Sequence, residues 1–343
     1  MEPFLSLSDA DKQSLVSALL DLSTSPYRDY PAFRDEIAEL AASPRIPDSL
    51  ARACESIRTA RTNGGACDYL LRNCPLDPVI PVFDQDDPVA DKYRQKTTFV
   101  GEGFLALFAK LTETPLLAYS TRNNGDFFHD VYAQNRYTKT QTQKTDGELY
   151  FHNDRTAHPV RADYLALLGM RADPRNLVYT GYVDGRNILE YLSQEQQAVL
   201  REPLYCTPYD EYSRDSNQLH VQSKPHTILE EAQCFRYYDT RTKPMPNAPM
   251  EARDAVIALK DAIVRADKVR VRIGEGDLFS FPNQAGLHNR DIVELGDPAQ
   301  AKLRWLLKTY SFRSDAYMRR FDDAFSTGVD GFVYDEVESA YAA

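Results

Sequence analysis

Apolar positions recur at helical spacing through the first third of the chain. Beyond about residue 116 they switch to short, aromatic or β-branched runs. Leu15, Leu19 and Leu20 form a stripe that predicts a helix over 6–22, which Ser6 or Ser8 can cap. A second helix is predicted over 31–42, with Pro31 in the first turn, where its missing N–H is tolerated. A third spans 47–62, from Pro47 and Asp48 through Leu50, Ala53 and Ile57, until Asn63-Gly64-Gly65 breaks it. Residues 75–91, punctuated by Pro75, Pro78, Pro81 and Pro88, read as extended or loop. Phe104, Leu107, Phe108 and Leu111 predict a helix over 97–112.

The later runs are Leu116–Tyr119, Val131-Tyr132, Leu149–Phe151, Tyr164–Leu168 and Leu177–Val183. Polar turns separate them, the pattern of an antiparallel β-sandwich or barrel. Ser193 with Gln196 has the form of a capping box. Residues 206–226 are polar and read as a mobile loop or lid. Phe235–Tyr238 reads as a strand, and Glu251–Ala266 as an amphipathic helix. Strands resume at Val269–Ile273 and Leu278–Phe281, and the last is Arg304–Tyr310. No internal repeat or strong boundary divides the chain. The expectation is one α+β domain over 1–343, with a helical layer at 1–90, a β core at 91–313 and an extension at 314–343.

Composition narrows the function. The 343 residues carry 51 acidic and 40 basic side chains, a formal net charge of −11. An acidic chain is a poor partner for nucleic acid or an anionic membrane, and neither is expected. No apolar run approaches the roughly 20 residues of a membrane span, and Met1–Leu5 lacks the charged and apolar regions of a signal peptide. The five cysteines have no CxxC spacing, which fits free thiols in a reducing, cytoplasmic setting. A homo-oligomer is compatible with all of this.

Candidate chemistry lies in Tyr150-Phe151-His152-Asn153-Asp154-Arg155-Thr156-Ala157-His158. On a strand, residues i and i+2 point to one face, so His152 and Asp154 can reach one metal ion. His129-Asp130 are adjacent and point apart, and Pro159 turns the chain beside His158. Of the remaining histidines, His220, His226 and His288, the last follows a strand and turn and is the best third ligand. Two His and one carboxylate leave three positions open, the arrangement of non-haem Fe(II) sites. A closed zinc site prefers four ligands, typically with Cys.

The ordered segments His152-Asn153-Asp154-Arg155-Thr156-Ala157-His158-Pro159, Arg161–Arg171, Leu287-His288-Asn289-Arg290 and Arg304–Lys308 resemble the clavaminate synthase-like branch of the Fe(II)/2-oxoglutarate oxygenases, within the taurine dioxygenase superfamily. The resemblance extends back through Asn124-Gly125-Asp126 and Val131–Gln134 and covers roughly residues 90–313. It implies a double-stranded β-helix (jelly-roll) core with flanking helices. It implies Fe(II) on His152, Asp154 and His288, with 2-oxoglutarate and O2 as cosubstrates. Arg304 would meet the distal carboxylate of 2-oxoglutarate, assisted by the Thr180 hydroxyl. A planar guanidinium suits that carboxylate.

Members of this branch hydroxylate free amino acids, and the His-Asn-Asp-Arg-Thr-Ala-His-Pro form resembles the L-lysine dioxygenases most. Gln134 would lie near the substrate backbone. Lys308 stands where relatives carry a second arginine for the α-carboxylate, a departure that removes the bidentate fork. Asp210, Glu211 and Asp239 are the carboxylates expected to meet a cationic side chain, with Asp215 a further local candidate. The substrate is then L-lysine, with arginine, ornithine or asparagine as alternatives. A halogenase requires a small residue where Asp154 stands. A non-catalytic jelly-roll binding module or a zinc hydrolase are readings from other classes, and the chain has no HExxH motif for the latter.

Overall fold

The computed structural model describes residues 1–65, 67–217, 221–325 and 328–334. The N-terminal helices are α1 (Asp9–Leu20), α2 (Tyr30–Ala41), α3 (Asp48–Thr62), α4 (Pro88–Gln95) and α5 (Val100–Leu111), and all but α4 follow the apolar spacing closely. Ser8 caps α1 by accepting from Asp11 N, and Asp29 caps α2 by accepting from Ala32 N. Helix α4 begins with Pro88 at its first turn, inside the stretch expected to be loop. Asp87 caps it, and its buried face carries Val89, Asp91 and Lys92 rather than an apolar stripe. The charges inside that face hid it from a periodicity argument.

The strands are β1 (Leu5–Ser6), β2 (Tyr69–Arg72), β3 (Leu116–Tyr119), β4 (His129–Tyr132), β5 (Leu149–His152), β6 (Tyr164–Arg171) and β7 (Asn176–Asp184). After the helices α6 (Gly185–Leu189) and α7 (Gln194–Leu200) come β8 (Tyr205–Cys206), α8 (Glu211–Ser216), β9 (Lys243–Pro244) and α9 (Met250–Arg265). The chain continues with β10 (Val269–Val271), β11 (Leu278–Pro282), β12 (Gly286–Leu295), α10 (Pro298–Lys302), β13 (Trp305–Ser311) and β14 (Phe332–Val333). The larger sheet has the order β1-β2-β11-β6-β13-β3-β14, with β4 also paired to β13. The smaller has the order β10-β7-β12-β5.

Alternation along the central strands builds four layers. On β6, Leu165 and Leu167 enter the core between the sheets, while Ala166, Leu168 and Met170 pack with the helices. On β13, Leu306 and Tyr310 face the smaller sheet, and Trp305 and Leu307 face the helices. Helix α5 is buried along nearly its whole length beneath α1, α2 and α3. On the far side, α7 and α9 cover the smaller sheet through Val183, Leu200, Leu259 and Leu287. The Ser193–Gln196 capping box is present.

One strand expectation fails and another is shifted by one residue. Phe235–Tyr238 makes only the isolated bridges Leu229–Phe235 and His152–Tyr238, because its backbone bonds are spent on Asn153, Gln284 and Thr242 instead of a continuous partner. The last core strand begins at Trp305, so Arg304 stands just outside it. The polar stretch 206–226 holds α8; its residues 218–220, including His220, lie outside those described, as do 335–343 of the C-terminal extension. No helix among the described residues is long and apolar enough to cross a membrane.

Candidate metal and cosubstrate site

His152 is the final residue of β5, and β12 pairs it in register with His288. The two rings lie 4.2 Å apart between centroids, and Tyr238 stacks on His152 at 4.7 Å. Gly286 lets β12 approach β7 so closely: a Cβ there would sit 2.5 Å from both the Tyr182 hydroxyl and the Val183 carbonyl oxygen.

Alternation places Asp154 on the same strand face as His152, but the strand ends first and Asp154 lies in the following turn. Two asparagines hold that turn. Asn153 Nδ2 donates to the carbonyls of Gly286 (2.8 Å) and Asn283, and its Oδ1 accepts from Tyr237 N (2.8 Å). Asn283 Oδ1 accepts from Asp154 N (2.7 Å). Both asparagines are almost wholly buried. Asn283 therefore ties the first two ligand positions to the turn that launches His288, a role no single-sequence pattern marks.

Ligand atoms of His152, Asp154 and His288 all lie within 4.8 Å of one another. His152 Nδ1 is 2.7 Å from the Tyr150 carbonyl, which fixes the ring so that Nε2 faces Asp154 Oδ1 at 3.4 Å; His288 Nε2 is 3.7 Å from the same oxygen. A backbone carbonyl on the far nitrogen is the usual orienting partner of a metal-binding histidine. Burial alone would raise the Asp154 carboxyl, but the Lys308 charge and the two neighbouring histidines outweigh it and hold it well below the usual range. His288 is pushed down to about 4 by burial and by His152. Neutral imidazoles and an ionised carboxylate are the protonation states that a divalent cation needs. The donor set, mixed nitrogen and oxygen with one face covered by protein, fits Fe(II).

Farther along β12, Arg290 is opposite Thr180 of β7, and His288 is opposite Tyr182, so these residues share the inner face of the smaller sheet. Arg290 donates to the carbonyls of Thr145 (2.7 Å), Gly147 and Gln143. Arg304 follows α10 and lines a cavity with Arg290, Val131 and Val178. Its Nη2 is buried without a hydrogen-bond partner. Burial and then Arg290 push the Arg304 guanidinium down to about 9, and burial pushes Arg290 down to about 10. Among the described residues neither arginine has a carboxylate partner. Two part-buried guanidinium groups, with Asp146 on the same cavity wall and no carboxylate at ion-pair distance among the described residues, are chemically suited to a carboxylate ligand. Thr142 and Gln143 line the metal cavity while Thr145 and Asp146 line the arginine cavity, so one loop borders both.

The other expected residues are distributed less simply. Lys308 points from β13 at the metal carboxylate, with Nζ 2.5 Å from Asp154 Oδ2. Asp210 lines the metal cavity, caps α8 by accepting from Ser213 N (2.6 Å), and takes Arg122 Nη2 at 3.1 Å on each oxygen. Burial would raise its carboxyl, but Arg122 and Ser213 bring it down to about 2. Glu211 pairs with Arg241 at 2.6 Å. Asp239 pairs with Lys260 and the Tyr237 hydroxyl and does not line the metal cavity, nor does Gln134. Asp215 is bound to Arg136 and the Tyr137 hydroxyl. His158 Nδ1 accepts from Val160 N, and His226 is held by Thr207, so each is structurally engaged. His129 is buried opposite Lys308 on the neighbouring strand. Cavity residues that the sequence did not single out for the site include Arg122, Gln141, Gln143, Tyr238 and Arg241. Arg122, Gln141 and Gln143 lie near motif segments in sequence, whereas Tyr238 and Arg241 lie only beside Asp239.

Residues 101–310 match the family model of the taurine catabolism dioxygenases TauD and TfdA. Among curated proteins, the chain is 26% identical over 186 residues to an L-lysine 3-hydroxylase of Catenulispora acidiphila, covering 52% of this chain and 50% of that protein. It is 28% identical over 193 residues to clavaminate synthase 2 of Streptomyces clavuligerus, covering 55% of this chain and 56% of that one. The alignments thus span about half the length of these curated relatives. An asparagine oxygenase solved with Fe(II), 3-hydroxyasparagine and succinate shares the fold, with a TM-score of 0.78 at 21% identity over 96% of this chain and 98% of that one. The non-haem iron oxygenase OrfP, solved with Fe, succinate and (3S)-hydroxy-L-Arg, gives 0.77 at 21% identity over 96% and 99%. With more than half of its length matched by one family model, the chain belongs to the TauD/TfdA dioxygenase family.

Proposed function

We propose that this protein is an Fe(II)/2-oxoglutarate-dependent dioxygenase that hydroxylates an unactivated carbon of a free L-amino acid, with L-lysine as the substrate. The observation that carries the reading is the convergence of His152, Asp154 and His288 beside two part-buried arginines that have no carboxylate at ion-pair distance among the described residues. The two-sheet core serves as the jelly roll of this class, within a single domain.

In this reading His152 Nε2, Asp154 Oδ1 and His288 Nε2 hold the iron. Arg304 takes the distal carboxylate of 2-oxoglutarate, with Arg290 and Thr180 on the adjoining wall. Iron bound here supplies the oxidising chemistry that converts substrate, 2-oxoglutarate and O2 into hydroxylated product, succinate and CO2. The protein's own contribution is orientation and exclusion of water. Asp210 supplies the carboxylate for the substrate ammonium, beside its Arg122 partner. Tyr238, stacked on His152, closes one side of the cavity. The L-lysine 3-hydroxylase relative supports lysine over other amino acids. Arginine, ornithine and asparagine are the competing substrates, and the structural likenesses to an asparagine oxygenase and to OrfP motivate testing them alongside.

The test is a screen of free amino acids with enzyme loaded with Fe(II) without oxygen and then given O2 and 2-oxoglutarate. The expected result is a lysine-dependent gain of one oxygen atom in the product with equimolar succinate. Turnover with another amino acid alone would move the substrate assignment, and no turnover with any would defeat the free-amino-acid reading.

A further inference from the structure

Lys308 is a charged residue in the middle of a buried strand, with Leu306 and Tyr310 on the same face. Its side chain is 4% exposed. An ammonium has three N–H donors and no acceptor. Here all three have acceptors: Asp154 Oδ2 at 2.5 Å, Gln143 Oε1 at 2.6 Å and the Tyr310 hydroxyl oxygen at 2.8 Å. No donor is left over for a substrate carboxylate. Asp154 is thereby divided: Oδ1 faces the two histidine Nε2 atoms, and Oδ2 belongs to Lys308. Gln143 is itself anchored, because its backbone carbonyl accepts from Arg290.

We propose that Lys308 is a positioning residue that keeps Asp154 bound to the metal through one oxygen only. A carboxylate with a free second oxygen can chelate a cation through both. At a three-residue site that second bond takes a position needed by 2-oxoglutarate or O2. Lys308 holds Oδ2 away and preserves the open positions, and it does so without contacting the metal or the reacting atoms. The inference rests on the metal reading above and assigns Lys308 a role different from binding the substrate α-carboxylate.

The experiment uses the full chain loaded with Co(II), a spectroscopically visible ion, in the absence of oxygen. Lys308→Met is expected to bind Co(II), to show an altered ligand-field absorption spectrum, and to lose 2-oxoglutarate affinity by about tenfold or more, the scale on which outer partners of metal ligands act. Lys308→Arg, which keeps the charge and donors, should restore both readouts at least in part. Lys308→Gln, one atom shorter and uncharged but polar, should behave as Lys308→Met does and serves if the latter does not fold. A parental Co(II) spectrum and 2-oxoglutarate affinity in the uncharged variants, with only the substrate KM raised, would overturn the proposal and return Lys308 to the substrate. His288→Ala separates the two readings: it should abolish Co(II) binding, and undiminished binding there would defeat the metal assignment whatever Lys308 does.

Discussion

At the scale of single residues, the separation of roles on Asp154 is matched by a separation of cations. Lys308 has its carboxylate, whereas among the described residues Arg304 and Arg290 have none at ion-pair distance. A buried guanidinium without an anion is costly, so a ligand carboxylate arriving there gains the attraction and relieves the penalty at once. Arg304→Met should therefore raise the KM for 2-oxoglutarate by roughly 100-fold, from the 2–5 kcal/mol typical of truncating one side of a buried charge pair. The metal affinity should remain near parental. Titration of succinate formation against 2-oxoglutarate measures the first, and Co(II) binding the second; a loss of Co(II) binding instead would show that Arg304 supports the fold of the metal site rather than the cosubstrate. Asn283→Ala should act in the opposite sense. It removes the acceptor for Asp154 N and the donor to the Asp154 and Ala162 carbonyls, so Co(II) affinity should fall by about 10-fold or more. The histidines and Asp154 were legible in sequence because ligand chemistry restricts residue type. Asn283 was not, since its work is a set of backbone bonds across 129 residues of chain.

At the scale of elements, helical spacing located α1, α2, α3 and α9 because each buries one stripe, and α5 because its bulky apolar residues recur at that spacing although nearly the whole helix is buried. The short helix α8 has no such stripe and depends on ties to the core. Asp210, its cap, is bound by Arg122, and Arg122 also donates to Ser213 (2.5 Å) and lies over the Tyr212 ring at 4.6 Å. Arg122 sits before the Asn123–Gly125 turn, so an ion pair spanning 88 residues fixes the segment that covers the metal cavity. Neither partner is identifiable from its local sequence, which is why the stretch 206–226 read simply as a loop or lid. Arg122→Met should leave α8 loosely attached. The expected signature is faster amide exchange through Tyr209–Asn217 with little change in overall unfolding, and a rise in amino-acid KM larger than the fall in kcat. The pH dependence follows from Asp210. Its folded value of about 2 lies below the unfolded carboxyl, near 3.9, so the pair stabilises fully above the unfolded value and is lost as pH falls through about 4 to 2. Amide protection of α8 should decline in that window in the parent and be absent from it in Arg122→Met.

At the scale of the molecule, the interface between the helical layer and the larger sheet contains buried charge as well as apolar packing. Lys92 of α4, wholly buried, donates to Asp126 Oδ2 (2.9 Å) and to Asp130 Oδ2 (2.8 Å) of β4. Asp130 also accepts from Trp305 Nε1 on β13 and from Asn123 Nδ2. Burial would raise the Asp130 carboxyl, but Lys92 and Lys144 outweigh it and hold it down. This cluster joins α4, β4 and β13, the strand that carries Lys308. Such a buried pair adds little net stability over an apolar replacement, yet breaking one side strands the other charge. Asp130→Ala should thus cost about 3–5 kcal/mol in urea unfolding, because Lys92 keeps only Asp126 and Trp305 loses its acceptor. Lys92→Met should cost less, since Asp130 retains Asn123 and Trp305 and the backbone-bound Lys144 nearby. In the double variant Lys92→Met/Asp130→Ala the loss should be smaller than the sum of the single losses, with a positive coupling of 1 kcal/mol or more between residues in contact. Simple additivity would mean that the two groups contribute separately.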